Sequence, residues 1–360
     1  MTGTLAFAPA LPTMLHPVTL VAAVRPGRVL ANAWTPSDLL DDPGFRQGIR
    51  AGILALVVVW VAALLVRRTS RWRDAILPVA GIATAAATIV ALDRSGSRVL
   101  MSHRLSVGIV LLIAGPCAVA FVLARWQDAW WAALAGALAA VPGAVEVGRA
   151  AALQSHVPGM QTLVVVSTVI GGLLLADFDR ANARAGLGPV LLAIAVLGMY
   201  GTLPDTEQTS VLVGVAVPLA FVGWPAAIAR LGPGAYATVG TIGWVAAVGG
   251  RGRGGSGVGA IACLGVMLIE PVARRLWRGR ARVPGSPFAW RTVGLVLLQL
   301  GVVWVASRFA GLQTSTRTAG WQSLLALGIG LAGSAVLLAP RPSRPGASSP
   351  KRQGPQGFNS

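Results

Sequence analysis

Residues 49–66 read IRAGILALVVVWVAALLV, an apolar run whose one charged side chain, Arg50, lies at its beginning. An α-helix rises 1.5 Å per residue, so about 20 apolar residues cross the roughly 30 Å hydrocarbon core of a bilayer. A helix that is apolar on every side is not stable at the surface of a water-soluble protein. The run therefore predicts a transmembrane helix.

Further apolar stretches of similar length follow, so the sequence predicts an all-α, polytopic integral membrane helix bundle of about eleven spans (roughly 9–12). The composition agrees, because 54% of the residues are hydrophobic and 12% are charged, about half the charged share of soluble domains. The stretches 129–146 and 234–250 are the weakest, since they are rich in Ala and Gly. The predicted spans are 49–66, 75–92, 106–124, 129–146, 160–176, 187–203, 210–229, 234–250, 257–273, 290–308 and 320–339.

The spans divide the chain into an extracytoplasmic N-terminal segment, 1–48, a transmembrane helical domain, 49–339, and a disordered basic cytoplasmic tail, 340–360. In the N-terminal segment no basic residue precedes the apolar stretch 5–24, and prolines interrupt that stretch, so the segment is a poor secretory signal peptide. Within it, residues 34–45 carry helix start and stop signals and predict a short helical turn that ends before Pro43. The tail is rich in Pro, Ser and Gly and cannot bury a core.

The charge balance predicts an orientation. The chain has 30 basic and 12 acidic residues, a net charge of +18. Most basic residues lie in short loops between spans, which is typical of topology signals and not of nucleic-acid binding. The Arg-rich loops after spans one and nine fall on the same side as the tail, and the positive-inside rule makes that side cytoplasmic. We therefore expect a cell inner (plasma) membrane protein with its N-terminus outside and its C-terminus cytoplasmic. The Arg, Ala and Gly usage is typical of a high-GC bacterium.

A group of basic residues on the predicted outer side is the candidate binding site. Of the 30 basic residues, 18 fall on the cytoplasmic side and the other 12 fall outside, where topology does not require them. Arginine binds phosphate through two parallel hydrogen bonds, and histidine can act as an acid or base. An outer cavity for a lipid-linked pyrophosphate or another anionic substrate is one interpretation; pairing with lipid headgroups or a different topology are the others. The candidate residues are Arg94, Arg98, His103, Arg104, Arg308 and Arg317.

Acidic residues inside a membrane usually mark function, but here they lie near predicted span ends. Glu146 and Glu270 are near the ends of spans, and Asp177 begins a cytoplasmic loop. The absence of an acid at mid-span argues against proton-coupled transport. We interpret Glu270 as neutralised by Arg274 or Arg275 at the membrane interface.

The sequence predicts no metal site and no cofactor. Cys117 and Cys263 lie in spans and are expected to pack as small apolar residues, while the three histidines lie outside the spans. The stretches 252–257 and 328–333 match the glycine pattern of dinucleotide-binding proteins but lack the strand and helix that it requires. We interpret the first as a turn and the second as a close-packing helix face.

These observations predict a transport protein, or a membrane-assembly or structural subunit, without its own energy-coupling domain. The expected partners are the lipid bilayer, an amphipathic, lipid-linked or anionic substrate, and other membrane subunits. The alternative is an envelope glycosyltransferase or polymerase-like enzyme that uses an outward-facing Arg/His cavity on a lipid-linked pyrophosphate donor. The enzyme ranks second because the predicted outer loops are too short for a catalytic region, and no catalytic motif assigns catalytic residues.

Overall fold

The computed structural model describes residues 36–68, 79–94, 103–123, 130–156, 159–202, 207–223, 228, 230–249, 256–276, 289–310, 325, 328–337 and 339. Every regular element in these residues is helical, which confirms the all-α class. A short 3₁₀ turn, Ala183–Ala185, joins two of the helices. The α-helices are α1 Pro36–Asp41, α2 Pro43–Arg68, α3 Val79–Arg94, α4 His103–Val122, α5 Trp130–Ser155, α6 Met160–Ala181, α7 Leu187–Thr202, α8 Glu207–Gly223, α9 Gly234–Gly249, α10 Ser256–Ala262, α11 Gly265–Leu276, α12 Trp290–Ala310 and α13 Gly328–Leu337.

Four of the described helices are long and apolar enough to cross a membrane, namely α2, α4, α5 and α6. On α2, Leu54, Val58 and Leu65 are each more than half exposed. Large apolar side chains in such numbers on one helix face are unfavourable in water and favourable in lipid. The helices thus indicate a membrane location. The count of eleven spans stays a prediction, because the other apolar helices in the described residues are shorter.

The stretch 234–250, one of the two weakest predicted spans, forms the central helix, α9. It packs against α3, α4, α5 and α6, and Trp244 at its far end is fully buried. Small residues let backbones approach: a Cβ added to Gly234 would lie 2.5 Å from the carbonyl carbon of Gly81 on α3. In membrane bundles, small residues are enriched where helices contact one another. The Ala and Gly content therefore marks a helix-contact surface, and not a missing helix.

The other weak stretch, predicted over 129–146, belongs to the longer helix α5, Trp130–Ser155. Glu146 therefore lies inside a helix and not near its end, which corrects the prediction. It pairs with Arg149 three residues on, at 2.7 Å. Because the two charges neutralise each other on one turn, the helix continues past them.

The ninth predicted span, 257–273, is interrupted and not continuous. It is divided into α10 and α11 by a turn at Cys263 and Leu264. The side-chain amide of Gln299, a fully buried residue near the middle of α12, donates a hydrogen bond to the Cys263 carbonyl. Interrupted backbone is tolerated at membrane depth where protein groups satisfy it.

The predicted turn before Pro43 is present as α1. The predicted boundary at residues 48 and 49 falls inside α2, which begins at Pro43. Asp42 explains this early start, because its carboxylate accepts hydrogen bonds from the Gly44 amide (2.7 Å) and from the Ser210 hydroxyl of α8 (3.0 Å). The rest of the N-terminal segment, 1–35, and the tail, 340–360, lie outside the described residues.

Candidate functional site

The six outer basic residues are only partly described. His103 and Arg104 begin α4, and both side chains are exposed. Arg94 and Arg308 lie near the C-terminal ends of α3 and α12, but their side chains fall outside the described part, as do Arg98 and Arg317 entirely. None of the six lines the cavities found among the described residues. Their convergence around one cavity therefore stays a prediction.

Buried polar residues gather at the opposite end of α4, where the C-terminal ends of α6 and α11 meet. Some of these residues form an ion-pair network. Arg274 on α11 bonds Glu270 at 3.3 Å and Asp177 on α6 at 3.1 Å. Arg275 reaches the same Asp177 oxygen at 3.3 Å. The interpretation of Glu270 as neutralised by Arg274 is confirmed, whereas Asp177 lies within α6 and does not begin a loop.

One residue of this end was missed from the sequence. Asp179 is 2% exposed, and its carboxylate accepts hydrogen bonds from the backbone N–H groups of Leu231 (2.8 Å) and Gly232 (3.1 Å). It thereby fixes the segment that precedes α9. Gly188, in the first turn of α7, packs so closely that an added Cβ would collide with the Asp179 carboxylate. The sequence DFDR at 177–180 could have indicated this burial. Two acidic residues that are two positions apart face different sides of a helix, so one of them can face the interior of the bundle.

A cleft of about 100 Å³ opens at this end between α4, α5, α6 and α9. Its inner walls are apolar and include Pro116 and Val119 of α4, Ala133 of α5 and Leu173 of α6. Polar residues also line the cleft, namely Asp177, Asp179, Arg180, Arg230 and Tyr236. The cleft thus combines an apolar slot with charged groups.

The two cations of the cleft, Arg180 and Arg230, form no ion pair with the described residues. Within the described part of the chain, neither Arg180 nor Arg230 forms a hydrogen bond or an ion-pair contact, although both lie within electrostatic range of Asp179. The Tyr236 hydroxyl likewise has no hydrogen-bond partner among the described residues, and the side chain is 4% exposed. The nearby carboxylates are already satisfied, Asp179 by backbone N–H groups and Asp177 by two arginines. Three donors are therefore available to a ligand.

The other cavities are less suited to a polar ligand. A lateral groove of about 210 Å³ between α6, α9 and the α10–α11 break is almost wholly apolar, with Leu163 and Leu268 at its edges. In the described residues no group of His, Cys, Asp or Glu is arranged to hold a metal ion. Cys263 is buried and Cys117 is half-buried, and neither is in a disulfide.

The predicted close-packing face at 328–333 is present in part. A Cβ on Gly333 would collide with Leu298 of α12, whereas one on Gly328 would meet open space. Residues 252–255 of the other glycine pattern lie outside the described residues, and the pattern ends in the first turn of α10.

No protein-family model matches this chain, and no curated protein matches it. Function is therefore inferred from the arrangement of the side chains.

Proposed function

We propose that this chain is a transport or membrane-assembly protein of a bacterial plasma membrane that binds an amphipathic or lipid-linked molecule. The observation that carries the proposal is the cleft between α4, α5, α6 and α9. Ligand sites are typically concave and mostly apolar, with a few polar groups that fix orientation. Here apolar side chains and three donors that have no hydrogen-bond partner in the described residues line the same cleft. That combination matches a molecule with an apolar tail and a polar head.

The helices that form the cleft also relate it to the bilayer. Three of them, α4, α5 and α6, are the long apolar helices, and their large exposed side chains, such as Val110, Leu138 and Ile170, suit contact with lipid. A slot between lipid-facing helices is open to molecules that are already dissolved in the membrane. The sequence shows no phosphate-binding loop for nucleotide hydrolysis, so we propose that any energy is supplied by a partner subunit or by the substrate gradient.

We further propose that the N-terminus is outside, the C-terminus is cytoplasmic and the cleft opens toward the cytoplasm. The contacts between helix ends support the alternation of eleven spans. Asp42 and Ser210 join two ends assigned to the outer side, while Asp177 and Arg274 join two assigned to the inner side. Trp244 bonds Gln154 at 2.8 Å, again between two outer ends.

Filling the cleft tests the proposal. An added Cβ at Gly136 of α5 meets only the Tyr236 hydroxyl, at 3.7 Å, so Gly136→Leu directs its side chain into the cleft. The protein would be placed in liposomes with a photoreactive single-chain lipid, and labelled peptides would be mapped. We expect wild-type labelling on α4 and α6 near Pro116 and Leu173, and loss of that labelling in Gly136→Leu. The matched control is Gly301→Leu on α12, where an added side chain meets open space. Equal labelling of wild type and Gly136→Leu at these peptides would overturn the proposal.

The enzyme alternative finds no such support. It requires an outer cavity of Arg and His residues, and the two whose side chains are described, His103 and Arg104, lie at the opposite end of α4 from the cleft. We therefore rank it second.

A further inference from the structure

We infer that the polar end of the cleft is a phosphate site, formed by Arg180, Arg230 and Tyr236, so that the amphipathic ligand is a phosphate-bearing lipid. This inference rests on the proposed function and specifies its substrate class. The three residues come from different elements: Arg180 from the last turn of α6, Arg230 from the segment before α9, and Tyr236 from the first turn of α9. Only the folded chain brings them to one cavity.

The charges at this end of the bundle do not balance. Glu270 and Asp177 are paired with Arg274, and Asp177 is paired with Arg275 as well. Asp179 accepts hydrogen bonds from two neutral backbone N–H groups and lies within electrostatic range of Arg180 and Arg230. These four arginines exceed the three carboxylates by one positive charge, and Arg180 and Arg230 form no ion-pair contact in the described residues, so the cleft favours an anion.

The three donors suit the oxygens of a phosphate. Two guanidinium groups present planar forks that match the tetrahedral oxygens of a phosphate, and the Tyr236 hydroxyl adds one donor from the wall. Tyr236 is nearly fully buried, and its hydroxyl has no partner within the described residues. Because Tyr236 lines the cleft, this hydroxyl can donate a hydrogen bond to an acceptor bound there.

The apolar part of the cleft favours a lipid over a purely soluble anion as the natural ligand. The cavity is also lined by apolar side chains of α4, α5 and α6, among them Val119, Ala133 and Leu173. A free phosphate ion leaves that surface uncovered, whereas a lipid tail covers it. A carboxylate has two oxygens in one plane, whereas a phosphomonoester presents three oxygens in a tetrahedral arrangement, which suits donors from three different elements better.

Three diazirine lipids with the same acyl chain test the inference in liposomes that hold the full chain. Their head groups are a phosphomonoester, a carboxylate and a neutral glycerol. We expect the phosphomonoester lipid to label the cleft peptides about tenfold or more above the neutral lipid, since hydrogen bonds between charged groups are stronger than those of neutral groups. Arg180→Gln and Arg230→Gln should each reduce labelling by the phosphomonoester lipid about tenfold. Arg184→Gln is the matched control, because Arg184 is exposed on the 3₁₀ turn that follows α6 and does not line the cleft.

The other outcomes separate the two proposals. In one outcome, all three lipids label the cleft equally and Gly136→Leu still abolishes the labelling. That result would overturn the phosphate site and leave the amphiphile site intact. Equal labelling by the carboxylate and phosphomonoester lipids would overturn the preference for phosphate. Inorganic pyrophosphate would be added as a competitor. If it displaces the phosphomonoester lipid and binds as tightly as that lipid does, the ligand is a soluble anion and the inference is wrong. Absence of cleft labelling by every lipid would overturn both proposals. Protection of buried Cys263 from maleimide reports that each variant is folded.

Discussion

The anchoring of α9 by Asp179 gives the sharpest test of how the cleft is held together. The carboxylate accepts two hydrogen bonds, from the Leu231 and Gly232 amides, and is 2% exposed. Asp179→Ala removes both and leaves two donors without partners. Hydrogen bonds to a charged group contribute about 1.5–3 kcal/mol each. The variant no longer buries a carboxylate, which returns part of that loss. We expect a net destabilisation of about 3 kcal/mol, a large share of the roughly 5–15 kcal/mol that holds a protein folded.

Asp179→Asn is the matched variant. Its side-chain oxygen has the same position and can still accept from both amides, so the hydrogen bonds weaken and are not lost. We expect about 1 kcal/mol of destabilisation, because neutral acceptors form weaker bonds than charged ones.

The free energy of unfolding would be measured by denaturant titration in detergent micelles, followed through the reaction of Cys263 with a maleimide dye. Cys263 is fully buried, so it reacts when the bundle opens. If Asp179→Ala is within about 0.5 kcal/mol of the wild-type protein, as ordinary surface substitutions are, Asp179 does not anchor the segment before α9.

Four further predictions follow from the packing and the topology. Gly214→Ala should cost about 1–3 kcal/mol by overpacking, because its Cβ would lie 2.5 Å from the Phe45 carbonyl oxygen of α2, whereas Gly301→Ala, which meets open space, should not destabilise in the same titration. Arg274→Gln should cost about 3–5 kcal/mol by leaving buried Glu270 unpaired, and Glu270→Gln in the same chain should recover part of that cost in a double-mutant cycle. Gln299→Met should cost about 1–3 kcal/mol, because the Cys263 carbonyl at the α10–α11 break loses its donor; unchanged stability would contradict that role. Reporter fusions after residues 70 and 285 should give cytoplasmic signals and a fusion after 207 an external one, and a cytoplasmic signal at 207 would reverse the orientation.

The helical class was predictable because hydropathy is a local property of the chain. The long apolar run at 49–66 indicated α2 without reference to any other part of the molecule. Helix ends were less predictable, since a carboxylate such as Asp42 can begin a helix six residues before the apolar run. The central position of α9 was hidden for a related reason: a helix that contacts other helices uses small residues, and these lower its hydropathy.

The candidate site was less predictable than the fold. Hydropathy predicts that α6 ends before its first charged residue, Asp177. It therefore assigns Asp177 and Asp179 to a loop. Their partners, Arg274 and the Leu231 amide, are distant in sequence and are brought near only by the packing of α6, α9 and α11. Arg180 and Arg230 resemble any other topology signal along the chain. What distinguishes them is that the fold places them at a cavity, where neither forms an ion pair with another described residue.

The most direct test of the account is to determine the structure of the protein in discs of its own membrane, extracted without detergent. We expect elongated density in the cleft between α4, α5, α6 and α9, with the tail beside Pro116 and Leu173 and the head group between Arg180 and Arg230. A cleft without bound density, or an amphiphile bound only at other surfaces, would contradict the account.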